Sequence, residues 1–168
     1  LKRERRAIAE SGLRLEVRHG DDIDANLWQA IHRQYCDTFF RYGNHPAFPA
    51  EFFPEVARRL GRQVVVFLAF RDETPVASAI CYRDAETLYG RHWGTQIEAP
   101  GLHFELCYYQ GIDYCIRHGM RRFEPGATRT IRRDPARGRT QRGPEDRHGI
   151  REGSAAGSRR APQRDARG

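Results

Sequence analysis

Side chains able to move a proton or hold a polar substrate gather in two stretches of the chain, TLYGRHWG at 87–94 and LHFELCYYQ at 102–110. In the first, Tyr89, Arg91 and Trp93 alternate with small or polar neighbours, and a strand period of two turns all three to one side. They read either as one wall of a cleft or as a packed aromatic face with Arg91 stacked on Trp93. In the second, His103, Glu105, Tyr108 and Tyr109 open a helical pattern. Imidazole and carboxylate groups are the usual general bases near neutral pH. Two residues apart on a helix, His103 and Glu105 point about 200° from each other, so one site does not readily use both. Glu105 lines up with Tyr109 at the next turn and is the candidate base. It reads equally as an acid favoured by the positive end of the helix dipole, and His103 as a partly buried histidine.

The elements that must position these groups can be read from hydrophobic period. Lys2 to Glu10 is a charged helical pattern closed by Gly12. Leu13, Leu15 and Val17 alternate as a strand. Leu27, Trp28, Ile31, Tyr35, Thr38 and Phe39 recur at helical spacing after Asp22 or Asp24, either of which can cap the helix. Gly43, Asn44 and Pro46 break that helix, and a short one follows around Phe52, Phe53, Val56 and Leu60. Val64 to Phe70 is apolar throughout, which marks a strand buried on both faces. Val76 to Tyr82 and Thr87 to Gly94 complete a meander. Leu102 to His118 forms one helix capped by Gly119, and Arg121 to Glu124 a short strand. The expected fold class is α/β: a mixed sheet built as strand, two helices, three-strand antiparallel meander, helix, strand.

The chain has 168 residues and a formal charge of +7. That charge resides in residues 128–168, which carry 12 Arg against 5 acidic residues and leave 17 basic and 17 acidic residues in the first 127. The body is formally neutral, which argues against a nucleic-acid surface, except nonspecific binding through the tail. Residues 128–168 hold two large apolar side chains, Ile131 and Ile150. Such a segment does not offset an ordering cost of roughly 1–2 kcal/mol per residue and is expected to be disordered. The four cysteines, at 36, 81, 107 and 115, form no CxxC pair or Cys/His cluster, so reduced thiols, no metal and a cytoplasmic location are expected. No apolar run of 18 residues is present, and there is no P-loop, GxSxG or HExxH motif.

Three segments carry a resemblance: KRERRAIAESGL (2–13), PVASAICYRDAETLYGRHWG (75–94) and LHFELCYYQGIDYCIRHGMRRFEPGA (102–127). They resemble the FemAB-like predicted N-acyltransferases of bacteria, a group related to the GNAT acetyltransferases. The resemblance implies a GNAT-like domain over 13–127, with 1–12 as the end of a linking helix from a missing N-terminal GNAT-like domain. It implies acyl transfer from an activated donor to a small-molecule or peptide amine. It also suggests a cleft position for Glu124, because related families carry an acid before Gly on this strand; Glu124 reads equally as a surface or core-edge acid. GNAT enzymes that use acetyl-CoA carry an Arg/Gln-x-x-Gly-x-Gly/Ala loop before the helix. Here Thr95 to Leu102 has one glycine and an acid, which leaves acyl-CoA and aminoacyl-tRNA both open as donors.

The family continues past Gly126-Ala127 with a Gln-Gly-Glu-His-Lys run, whereas this chain continues Thr128-Arg129-Thr130. Its Arg/Gly/Ala/Pro/Asp-rich end reads as GC-rich coding DNA translated out of frame, or as a natural basic tail. Either way the sheet is expected to stop after Glu124, leaving an incomplete, inactive domain. The alternative functions are a non-catalytic GNAT-like interaction module and, more weakly, a basic-tailed nucleic-acid binder.

Overall fold

Val64 to Arg71 decides the architecture. Every residue but the last is buried, so this strand, β2, needs cover on both faces. The computed structural model describes residues 2–126, 131–133 and 140–142, and in it β2 lies between β1 (Leu13–His19) and β3 (Thr74–Arg83), antiparallel to both. A tight turn leads to β4 (Thr87–Thr95), antiparallel to β3, and a crossover returns the chain to β5 (Arg122–Glu124), parallel to β4. This is the expected strand order.

Helices cover the two faces. On one, α2 (Ala25–Arg41) and α3 (Phe52–Leu60) pack Trp28, Ile31, Tyr35, Phe53 and Ala57 onto Val64, Val66, Leu68, Phe70 and Ile80. Asp24 is the residue that caps α2, its Oδ1 accepting the Leu27 N–H at 2.8 Å. On the other face lie α1 (Lys2–Glu10) and the crossover. The crossover consists of α4 (Leu102–Phe104), a π turn (Glu105–Tyr109) and α5 (Gln110–Arg117). These elements bury Ile8, Leu102, Leu106 and Tyr114 against Val65, Phe67, Ala69 and Leu88. The segment expected as the end of a linking helix thus lays Ile8 into the core.

Two features depart from the sequence pattern. The helix expected over 102–118 contains a π turn, in which the Gln110 N–H donates to the Glu105 carbonyl five residues back. Wider turns of this kind shift which side chains share a face. The sheet also continues past Glu124. Short strands β6 (Ile131–Arg133) and β7 (Thr140–Arg142) follow β5, each antiparallel to its neighbour. Their sequence carries no apolar alternation, so pattern reading finds no strand there. The expected disorder of the remaining tail falls on residues outside those described.

α2 crosses β4 with backbone against backbone. A Cβ on Gly94 would lie 2.4 Å from the Gln34 carbonyl carbon and 2.5 Å from the Tyr35 nitrogen. Neither atom belongs to a side chain that can swing away. Gly94→Ala should therefore cost about 1–3 kcal/mol or more through overpacking. Urea unfolding measures it, and a wild-type midpoint would show that α2 does not sit this close.

Candidate functional site

The crossover brings Glu105 into the core rather than into a cleft. Glu105 is 2% exposed. Its Oε1 accepts hydrogen bonds from Gln110 Nε2 at 2.8 Å and from Arg5 Nη2 at 3.3 Å, and Arg5 Nε lies 3.3 Å from its Oε2. The π turn makes the Gln110 contact possible by stacking residues five apart. Arg5 Nη2 also donates to Asp113 Oδ2 at 2.8 Å, and its guanidinium lies 5.7 Å from the centre of the Tyr109 ring. The carboxylate paired with Arg5 clamps α1 onto the crossover. Sequence reading missed Arg5 because it lies one hundred residues from its partner in a helix with an ordinary charged pattern.

His103 faces elsewhere, as its spacing from Glu105 requires. Its ring meets Trp93 edge-on at 5.2 Å and Tyr108 at 5.9 Å, with Phe104 5.5 Å away. These neighbours crowd a side chain that stands at the surface, and the partial desolvation pushes its pKa down. Trp93, His103 and Tyr108 therefore form one group.

Tyr89 and Arg91 do not join it, because the period of two fails in β4. The β3–β4 register jumps from Ile80↔His92 to Cys81↔Gly90, leaving Arg91 as a bulge. Tyr89 pairs with Tyr82 on the α2–α3 side, while Trp93 pairs with Ala79 on the crossover side. Arg91 stacks on Tyr89, with 5.2 Å to the ring centre, and not on Trp93. The expected common face for 89, 91 and 93 is thus corrected by one inserted residue. Glu124 is partly buried beside Tyr89 in the β4–β5 register, and its Oε1 lies 3.6 Å from Arg122. A polar cleft of about 540 Å³ lies next to it, lined by Asp84, Thr87, Tyr89, Arg121 and Arg122. Asp84 is committed there to the Glu86 and Thr87 N–H groups and the Tyr89 hydroxyl, which hold its pKa low.

His92, next to Trp93, faces the α2–α3 side, where sequence reading did not look. Its ring sits among Tyr35, Phe48, Phe53 and Tyr82 at 5.2 to 6.3 Å between centres. Burial and the adjacent Arg91 charge lower its pKa. The only sequence sign of a bulge is Gly90, whose Cα lies so near Pro125 that a Cβ would meet the Pro125 carbonyl oxygen at 2.8 Å.

β4 and β5 are paired over three positions, Thr87↔Arg122, Leu88↔Phe123 and Tyr89↔Glu124. β4 then runs on to Thr95, and among the described residues no strand pairs with it on that side. Backbone N–H and C=O groups on such an edge are open to an extended ligand.

The FemAB-like family model, described as peptidoglycan biosynthesis/recognition, matches residues 1–142. The chain belongs to the FemAB-like family. A solved acetyltransferase from Streptococcus agalactiae 2603 shares the fold, with a TM-score of 0.53 at 12% identity over 67% of this chain and 71% of that one. No curated protein matches the sequence. The GNAT-related order expected from the resemblance is therefore the order found. The FemAB-like chain has no helix, among the described residues, long and apolar enough to cross a membrane. Its four cysteines are free thiols; burial pushes Cys107 up to about 12 and Cys115 up to about 11, so neither is a ready nucleophile.

Removing Arg5 leaves the Glu105 carboxylate buried beside Gln110 alone. Arg5→Ala should cost about 1–3 kcal/mol, the range for stranding a buried acceptor. Arg6→Ala, which breaks an exposed pair with Glu10, should cost less than about 1 kcal/mol. Equal losses in parallel denaturation curves would reject the clamp.

Proposed function

We propose that this FemAB-like domain catalyses N-acyl transfer, from an acyl-CoA or an aminoacyl-tRNA to the primary amine of a small molecule or peptide. The observation that carries the reading is the parting of β4 from β5 after Tyr89. An open strand edge offers hydrogen bonds to a donor arm that contains amides, and it holds the donor beside the centre of the sheet. Transfer of this kind draws its rate largely from positioning and from fixed dipoles around the developing oxyanion. The family's link with peptidoglycan favours an amine of a peptide, and the fold shared with an acetyltransferase favours acyl chemistry.

The site residues named from sequence divide under this reading. Trp93, His103 and Tyr108 flank the crossover side of β4, where they would contact the donor. Tyr89 and Glu124 mark the last β4–β5 pair. Arg91 lies at the bulge, with its guanidinium over the Tyr89 ring. Glu105 and Tyr109 serve through the clamp with Arg5, holding the crossover in place.

One observation favours a second reading, a non-catalytic module. Thr95 to Leu102 lacks the glycines that would let backbone N–H groups close around a pyrophosphate. The two readings separate when the purified chain is incubated with acetyl-CoA, and separately with charged tRNA, in the presence of amine-bearing peptides. Acyl transfer predicts an amide product by mass spectrometry that depends on both donor and amine. Absence of product with either donor, together with an unchanged melting temperature in their presence, would favour the module.

A further inference from the structure

We infer that His92 is the general base of the acyl transfer proposed above, and that the acceptor amine enters from the α2–α3 face of β4. The inference rests on the acyl-transfer reading and adds the residue and side of approach that it leaves unassigned.

Four elements fix the His92 ring. Tyr35 of α2 lies 5.8 Å away at 89°, Phe48 of the segment joining α2 and α3 at 5.5 Å and 85°, Phe53 of α3 at 5.2 Å and 65°, and Tyr82 of β3 at 6.3 Å and 87°. Edge-to-face contacts of this kind hold a ring's orientation without occupying its nitrogens. Among the described residues neither His92 nitrogen has a hydrogen-bond partner. The side chain is itself only half-buried. The result is an oriented, half-buried imidazole whose nitrogens no described side chain engages.

Its position suits the task. His92 follows the bulged Arg91 and precedes Trp93, within the stretch of β4 that has left β5 behind. Tyr35 and Phe53 are buried behind it, whereas Phe48, Phe52 and Tyr82 are partly exposed around it. Ring faces at such an opening attract an ammonium group, so the acceptor class is a primary amine carried on an apolar or aromatic frame. The two acids named from sequence are less suited to proton abstraction there. Glu105 is buried with Arg5, and Glu124 is paired with Arg122.

The step balances without a further reactant. The imidazole takes a proton from the ammonium, and the freed lone pair forms the N–C bond to the acyl carbonyl. The C–S bond of a thioester, or the C–O bond of an aminoacyl ester, breaks with its electron pair on the leaving group. That group receives this proton from the imidazolium, directly or through water, and the attached nitrogen loses its second proton to water, so a neutral amide, the protonated leaving group and one hydronium result. The groups facing His92 are Tyr35 on α2, Tyr82 on β3 and Arg91 on β4; the contributions from the α2–α3 segment and α3 are the apolar Phe48 and Phe53. Desolvation and the Arg91 charge keep the ring neutral at neutral pH.

The test compares wild-type chain with His92→Gln and His92→Phe, the second of which preserves an aromatic ring in the basket. Product formation with a peptide amine is followed against pH, beside melting temperature and donor binding. The wild type should show an acid limb in kcat/KM below the ordinary imidazole pKa of about 6.5. Both variants should lose at least about a hundredfold in kcat, within the range for a general base, and should lose that limb while still binding donor. A wild type that transfers while a folded variant keeps pace, or keeps the limb, overturns the assignment of His92 alone. A wild type that transfers nothing from either donor overturns the acyl-transfer reading and the base with it.

Discussion

β4 is held from Leu88 to Thr95, apart from the bulged Arg91, by β3 on one side and for three residues by β5 on the other. The rest of the site follows from this unequal grip. The parallel pair positions the crossover on one face, and Pro125 closes on Gly90 as the strands begin to part. Beyond that point no strand among the described residues pairs with this edge of β4. The bulge at Arg91 then divides Tyr89 from Trp93, so that Trp93 faces the crossover while Tyr89 and His92 lie toward α2 and α3. A regular strand would have put Tyr89, Arg91 and Trp93 together on one face and His92 on the other.

Two contacts keep this arrangement rigid. Gly94 lets the α2 backbone lie directly on β4, which places Tyr35 against His92. On the opposite face, Arg5 reaches from α1 to Glu105 and Asp113 and ties the chain's first helix to the crossover. The π turn serves the same end, since it brings Gln110 over Glu105 and satisfies an otherwise poorly paired buried carboxylate. Burying such a group without partners is costly, so a wider turn that supplies one is a net gain to the fold.

Strand order and the two-faced burial of β2 were legible because both depend on local period. Val64 to Phe70 could not have been apolar throughout and lain at a surface. The cap, narrowed to Asp22 or Asp24, and the break at Gly43 were equally local. What escaped was set by register and by distant partners. A bulge adds one residue without altering composition, and it reversed the expected common face of Tyr89, Arg91 and Trp93. The Arg5–Glu105 pair joins residues a hundred positions apart, and no spacing rule predicts it. His92 was overlooked for the same reason: its surroundings come from α2, α3, β3 and the segment between the helices, none of which is near it in sequence. Strands β6 and β7 escaped because Ile131 is the single large apolar side chain in either, so neither alternates.

The central claim is that the edge of β4 beyond Tyr89 receives the acyl donor. Backbone amide hydrogen exchange of the chain, with and without acetyl-CoA or charged tRNA, tests it directly. The account predicts slowed exchange confined chiefly to residues 91–95 when the donor is present, with β1 and β2 unchanged. Donor binding that leaves 91–95 exchanging at their free rate would contradict it.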